Sequence, residues 1–395
     1  MRKNNKIHLF TQLLLVFFFV FSSFGLKAQK IDVRIFSTNK IKEISLVPSF
    51  GNYVLQLKKG NNKIEKEIEL NRKDIIKIQA KNNNIGISIN DSLIGDYEKV
   101  ELLSQGLMNF FKISTDNSDI KPRHYDDNLI ITLKNGNELF LINNVELESY
   151  ISGVVQAETW GATKNVDFFK LQAICVRNYI MRNAKKHSKE DFQLCDDVHC
   201  QAYKGRANKA EVIFGAYDSK GEVIVDSLGN IIETLFHANS GGYTESSENV
   251  WGRPFSHLLG KRDTFSMGGK SYLWEKYIKL KDWKRYFKDK GIDVRNDSIE
   301  NILVNFSQKD GRKKDLLGVP LVQIRKDFNL RSTFFDCKEW GSEVKLEGRG
   351  YGHGVGMSQQ GAIIMCEQGY EYWQVIEFYY TGAKVKRVDE EKEFK

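Results

Sequence analysis

The run VVQAETWG, residues 154–161, ends an apolar stretch on a single carboxylate, Glu158. Enclosing an acid among valines disfavours its charged form and costs stability unless it is paired or used. A carboxyl kept neutral in this way can serve as a general acid. A second constellation, KHSKEDFQLCDDVHCQAYKG, brings His187, Cys195, His199 and Cys200 into one short span. Two sulfurs and two imidazoles complete a tetrahedral zinc set, which leaves no position for water and so staples a loop rather than hydrolysing a bond. A disulfide between Cys195 and Cys200, in an oxidising compartment, is the alternative.

Two further segments are rich in backbone that a ligand could approach. In GRGYGHGVGMSQQGA, residues 348–362, glycines alternate with larger residues from Gly348 to Gly356. If that stretch is extended, one face is bare backbone, and something must lie close against it: either a neighbouring segment or a bound ligand. In HANSGGYTESSENVWG, residues 237–252, Gly241 and Gly242 offer amides while Tyr243 and Trp251 offer flat apolar faces of the kind sugar rings pack on. Ser240 lacks the strand-turn-helix context of a nucleophilic serine, and Glu245 and Glu248 read as turn residues. The spacing in residues 348–362 matches neither a dinucleotide fingerprint nor a phosphate loop, and no organic cofactor is expected.

These groups need elements to hold them. From Ile31 to about Ile142 the chain runs in short β-rich pieces, among them YVLQLKKG, KIEKEIEL, GISIN, NLIITL and ELFLI, separated by Gly, Asn and Asp turns. At Val145 the period changes, and Leu147, Ile151, Val154 and Glu158 recur at helical spacing, which puts Glu158 on the apolar face of a helix. A second helix, DFFKLQAICVRNYIMRNAKKH, is apolar on nearly every side and carries Arg177 within it, as a helix enclosed by protein would. Strands are expected at GEVIVD and NIIETLFHA, with mixed helix and strand from about Lys270 to Phe335 and a basic loop at QKDGRKK. Ser358 suits a helix N-cap, with Gly369 at the far end. The terminal KVKRVDEEKEFK is expected to fray.

Composition sets the outer limits. A chain of 395 residues, 41% hydrophobic and 12% aromatic, is long and apolar enough for a large core. Arg2, Lys3 and Lys6, the apolar run Leu13–Phe21 and the small residue Ala28 read as a secretory signal peptide, and no later stretch is apolar for long enough to span a bilayer. The net charge of +8 includes four cations within residues 1–28 and falls to +4 without them, too little to argue for nucleic acid. Five scattered cysteines make no disulfide framework in a chain this long. The fold class is therefore α+β. A signal peptide at 1–28 precedes a strand-rich part at 29–142, continuous with a mixed region at 143–386, and a charged tail follows at 387–395.

In this order, VELESYISGVVQAE, KLQAICVRNYI, HCQAYKG, HANSGGYTESSENVWG, LRSTFF, GRGYGHGVGMSQQGA and FYYTGA resemble the SpoIID/LytB family of stage II sporulation protein D and the amidase enhancer LytB. The resemblance implies a protein that acts on peptidoglycan, with members that are lytic transglycosylases cutting between N-acetylmuramic acid and N-acetylglucosamine. It implies that Glu158 is the catalytic acid. Thr159 and Trp160 stand where the family's motif has Met and Pro, which alters the helix end and leaves the acid in place. The His187, Cys195, His199 and Cys200 set resembles a zinc site found in some members.

Hydrolysis of a glycoside normally needs two carboxylates. A lytic transglycosylase manages with one, because the 6-hydroxyl of the muramic acid attacks the anomeric carbon. Glu158 then needs a raised pKa, and an apolar face with Trp160 nearby is expected to supply it. Arg177 is assigned either to substrate positioning or to a structural ion pair. Gln201, Tyr203, Ser240, Gly241, Gly242, Tyr243, His353 and Gln359 are candidate contacts to the glycan. The expected partners are glycan strands and cell-wall amidases, in the periplasm or outside the cell. The competing classes are a non-catalytic amidase enhancer that grips glycan and, against the closed ligand set, a zinc amidase.

Overall fold

The computed structural model describes residues 29–389; the expected signal peptide at 1–28 and the last six residues of the charged tail lie outside them. Ten strands precede the first described helix: β1 (Lys30–Ile35), β2 (Glu43–Lys59), β3 (Lys63–Leu70), β4 (Ile76–Lys81), β5 (Asn84–Ile89), β6 (Ser92–Tyr97), β7 (Lys99–Thr115), β8 (Arg123–Asp126), β9 (Asn128–Lys134) and β10 (Glu138–Glu146). With β11 (Leu194–Cys195) they form one eleven-stranded sheet in the order β11-β1-β10-β9-β7-β2-β4-β5-β6, where β3 also pairs with β2 and β8 with β7. The hairpin turns carry pairs of residues at positive φ, namely Asn61 and Asn62, Asn82 and Asn83, Asn90 and Asp91. Asparagine and aspartate adopt that conformation more readily than other side chains, so the Asn-rich breaks in the sequence become tight reversals. Alternation is clear in β2 and β7, which bury Leu55, Leu57, Val100 and Leu102, and absent from β3, which is exposed along most of its length.

Helix α1 (Leu147–Thr159) begins where β10 ends, so the strand-rich part runs into the helical part without a linker. Helix α2 (Val166–Asn183) is capped by Asn165, whose side chain accepts from Phe168 N. It is buried on nearly every side, from Phe168 through Asn178 and at Ile180, as its sequence requires. Arg177, inside α2, is fully buried and meets Glu148 of α1 at 2.6 Å. It also donates to the carbonyl of Ser219, just past α3 (Ala210–Asp218), at 2.8 Å. Removing one partner of such a pair strands the other charge, typically at a cost of about 3–5 kcal/mol. The pair holds α1, α2 and the turn after α3 in one arrangement.

Residues 273–349 add a second, smaller core. Three antiparallel strands, Leu273–Lys279, Phe335–Trp340 and Glu343–Arg349, are flanked by helices Leu280–Asp289, Asp297–Val304 and Leu321–Asp327. Trp283, Phe287, Phe335 and Leu346 fill a hydrophobic cluster separate from the main one. The chain returns from this unit directly into the glycine-alternating segment.

That segment is not an extended strand past Arg349. Gly350, Gly352, Gly354 and Gly356 all have positive φ, and a Cβ at Gly350 or Gly356 would stand 2.6 Å from Asn239 O or 2.2 Å from Leu235 O. At Gly350, Gly352 and Gly356 the bare backbone faces the 235–241 segment, so these glycines form a packing seam, while Gly354 makes room for the Arg312 side chain. NIIETLFHA, expected as a strand, contributes only Phe236–His237, which pairs in parallel with Met357–Ser358. The KVKR part of the tail does not fray: Lys384–Arg387 pairs antiparallel with Glu222–Val225. Ser358 caps the helix Gln359–Glu367 as its type suggested, accepting from Gly361 N at 3.2 Å.

Candidate functional site

Glu158 lies in the last turn of α1, on the face that buries Ile151 and Val154, and is itself half-buried. The helix stops at Trp160, which takes a left-handed conformation with φ 49°. One loop supplies the surroundings of the carboxyl: Ala202 N donates to Glu158 Oε1 at 3.1 Å, and Lys204 is the charged group that acts on it. Burial pushes the Glu158 carboxyl above its ordinary value of 4.5, partly offset by the Ala202 hydrogen bond and then by Lys204. Trp160 does not supply that burial, contrary to expectation; it is 85% exposed. The left-handed turn carries the indole outward.

The loop reaches Glu158 because α1 has a gap in its side-chain surface. At Gly153 a Cβ would stand 2.4 Å from Gly205 O and 2.6 Å from the Tyr203 ring. With no side chain there, residues 201–205 settle onto the helix. Tyr203 anchors them: it is fully buried, packs its ring 4.8 Å from that of Tyr150, and donates to Asn143 Oδ1 at 3.0 Å. Tyr203 is thus a core residue and not a glycan contact. It sets the height at which Ala202 N meets Glu158.

The same loop carries the His and Cys cluster. The donor atoms of His187, Cys195, His199 and Cys200 all lie within 4.8 Å of one another, and both cysteines are free thiols, so the alternative disulfide is not formed. His187 Nε2 stands 3.4 Å from Cys200 Sγ, while His199 Nδ1 stands 3.7 Å from Cys195 Sγ and 3.8 Å from Cys200 Sγ. The other nitrogen of His187 meets Glu190 Oε1 at 2.8 Å, which fixes the ring. Hydrogen bonds from Cys200 and then from His199 draw the Cys195 thiol down to about 5, and the contact with Cys195 pushes Cys200 up.

A family model described as "SpoIID: Stage II sporulation protein" matches residues 135–226, the span that contains α1, α2, Glu158 and the whole His and Cys loop. Stage II sporulation protein D of Bacillus subtilis (strain 168) is 27% identical over 276 residues, 63% of this chain and 76% of the relative. Its counterpart in Bacillus amyloliquefaciens is 26% identical over 266 residues, with the same coverage of 63% and 76%. An amidase enhancer of Bacillus subtilis (strain 168) is 23% identical over 287 residues, 59% of this chain and 40% of the enhancer. The chain thus matches the SpoIID family over residues 135–226, and the relatives it resembles are named both for stage II sporulation protein D and for an amidase enhancer.

The remaining candidate residues divide by exposure. Arg177 is buried in its pair with Glu148, so of its two expected roles the structure supports the ion pair. Ser240 is fully buried and donates within the core, to Asp263 Oδ2 at 2.7 Å. The amides of Gly241 and Gly242 are taken by Asn239 Oδ1 and Ser266 Oγ, both within the protein. None of these three is available to a ligand in this arrangement. Tyr243, His353 and Gln359 are half-buried, and Gln201 is buried with an Oε1 that has no hydrogen-bond partner among the described residues. Gln359 reaches Gln172 of α2 at 3.4 Å. His353 lies between the rings of Trp251 and His237, with centroids 5.2 and 5.4 Å away; burial and then Arg325 push its pKa down to about 4. It is neutral at pH 7, and its Nδ1 accepts from Val355 N at 3.1 Å.

Three contributors had escaped sequence reasoning. Ala202 acts through its backbone, which no side-chain motif reports. Lys204 stands in a loop whose docking depends on Gly153, and a glycine within a helix was the available signal. Arg312 belongs to QKDGRKK, which the sequence marks only as a basic loop; it donates to the carbonyls of Ser240 and Tyr243 at 2.7 Å and pairs with the buried Glu245 at 3.7 Å. It ties the smaller unit to the Ser-Gly-Gly loop.

The raised Glu158 pKa fixes the sign of a pH effect. The folded protein holds this proton more tightly than the unfolded chain, so the associated stability is complete below pH 4.5 and is lost as pH rises through the folded value. Glu158→Gln keeps an acceptor for Ala202 N and removes the buried charge. Its thermal midpoint is expected to exceed that of the wild type at pH 7, with the gap closing as the pH is lowered to about 4; parallel melting curves across that range measure it.

Proposed function

We propose that this protein is an exported lytic transglycosylase that cleaves the glycan strands of peptidoglycan, with Glu158 as acid and then base. The observation that carries the reading is the setting of Glu158: half-buried, pKa raised by burial, and with no carboxylate among the groups that shift it. A two-carboxylate glycosidase needs its second acid about 5–9.5 Å away. A single acid with a raised pKa suits the intramolecular route. Glu158 gives its proton to the glycosidic oxygen as the bond to C1 of the N-acetylmuramic acid breaks, and the electron pair leaves with that oxygen. The resulting carboxylate takes the proton of the same sugar's 6-hydroxyl as O6 bonds to C1, which closes a 1,6-anhydro ring and restores the acid. Ala202 N–H holds the carboxyl in place, and Gln201, Tyr243, His353 and Gln359 are the polar groups proposed to meet the glycan. Export is supported by the sequence of residues 1–28, and no described helix is long and apolar enough to cross a membrane.

The His and Cys cluster is proposed to hold one zinc ion. Tetrahedral zinc with bonds of ~2.3 Å to sulfur and ~2.0 Å to nitrogen sets an N–S ligand separation of ~3.5 Å, close to the 3.4–3.8 Å between the His nitrogens and Cys sulfurs here. Bound there, zinc would supply a structural crosslink, since four protein ligands close its coordination. His187 is set just past α2 and Cys195 within β11, so the ion would fix the edge of the large sheet and, beyond it, the loop that bears Ala202.

A second reading, a non-catalytic enhancer that binds glycan and assists a cell-wall amidase, is favoured by the likeness to an amidase enhancer. Purified wild type and Glu158→Gln, incubated with peptide-free glycan strands, separate the two. The enzyme reading predicts 1,6-anhydro ends from the wild type and a fall of at least ~100-fold in the variant. Equal production of such ends by both, or none by either, sinks it. For the metal, elemental analysis should find one zinc per chain, lost in Cys195→Ser, and a chelator should lower the thermal midpoint by several degrees; a metal-free chain with an unchanged midpoint contradicts the assignment.

A further inference from the structure

Trp160 is placed as no structural role requires. It is 85% exposed, so its indole gains almost nothing from burial. Its backbone has φ 49°, a conformation that strains residues bearing a Cβ and that glycine or asparagine would take more easily. The largest side chain is thus held in an unfavourable conformation, in water, two residues from Glu158. In the chain it is followed by Gly161, Ala162, Thr163 and Lys164, and Lys209 lies against Gly161, where a Cβ would meet its Nζ at 1.9 Å. Lys204 and Lys209 are both exposed. An apolar protein-docking patch needs contiguous area, and the residues that follow this ring in the chain are small or cationic. A single aromatic face flanked by polar groups suits the C–H face of a pyranose ring, whose hydroxyl rim needs hydrogen-bonding neighbours.

We propose that Trp160 is a stacking platform for a hexosamine ring of the glycan strand, in the subsite beside Glu158, and that it orients the scissile bond toward the acid. The proposal rests on the glycan-cleaving reading of Glu158. Trp160 is a positioning residue and takes no part in proton transfer.

The test measures binding without cleavage, in the Glu158→Gln background, with peptide-free glycan strands as the probe. Trp160→Asn removes the ring and supplies a residue that accepts the left-handed backbone; Trp160→Phe keeps a smaller ring. Asparagine is expected to weaken binding roughly tenfold and phenylalanine by no more than about threefold, with the thermal midpoint of the asparagine variant equal to or above that of its parent. With Glu158 restored, the asparagine variant should show a raised KM. Binding unchanged in Trp160→Asn overturns the platform and leaves the glycan-cleaving reading intact. A midpoint lowered by several degrees in Trp160→Asn overturns it in favour of a structural role. Failure of the Glu158→Gln parent itself to bind, with no anhydro ends from the wild type, overturns both.

Discussion

The close approach of residues 201–205 to α1 is the contact on which the candidate site depends. It requires the missing side chain at Gly153, the buried Tyr203 with its hydrogen bond to Asn143, and the chain reversal that brings Gly205 O over the helix. Its result is a backbone N–H aimed at Glu158 and a second wall that takes the carboxyl partly out of water. The two effects oppose one another, since the N–H favours the anion and burial favours the acid. Burial is the larger, and the acid stays above its ordinary pKa. A donor at that position is still useful to an acid that must alternate between protonation states, because it steadies the anion formed halfway through the cycle.

The rest of the molecule can be followed outward from that contact. The loop that presents Ala202 begins at β11, which pairs in parallel with β1, and Asp196 fixes it there by accepting from the amides of Phe36 and Ser37 at 2.8 and 2.9 Å. The four-donor cluster sits between α2 and this strand. The buried pair of Arg177 and Glu148 locks the two helices to each other. Arg312 reaches from the smaller unit into the Ser-Gly-Gly loop, while the absent side chains at Gly350 and Gly356 let the backbone of that segment pack against residues 235–241. Trp160, Lys204 and Lys209 remain exposed.

The helical face of Glu158, the enclosed helix around Arg177, the cap at Ser358 and the strand-rich first part were legible in the sequence because each follows from a local period or a local hydrogen bond. The four His and Cys donors were legible because they fall within one short loop. The packing seam of the glycine-alternating segment was one of two readings open in the sequence, and its conformation was not legible, because spacing reports which positions lack a Cβ and not the sign of φ. Ser240, Gly241, Gly242 and Tyr203 looked like ligand contacts because their chemistry suits that role; burial against residues distant in the chain, such as Asp263, Ser266 and Asn143, assigns them to the core instead. Trp160 was expected to roof Glu158 from proximity in the chain, and a single left-handed residue turned it outward.

The central claim is that the half-buried Glu158 carboxyl, with no carboxylate among the groups that shift it, holds its proton above its ordinary value because of burial. The most direct measurement is a pH titration of the Glu158 side-chain carboxyl carbon by NMR, assigned by the signal missing from Glu158→Gln. The account predicts a midpoint above 4.5. A midpoint at or below that value would contradict it.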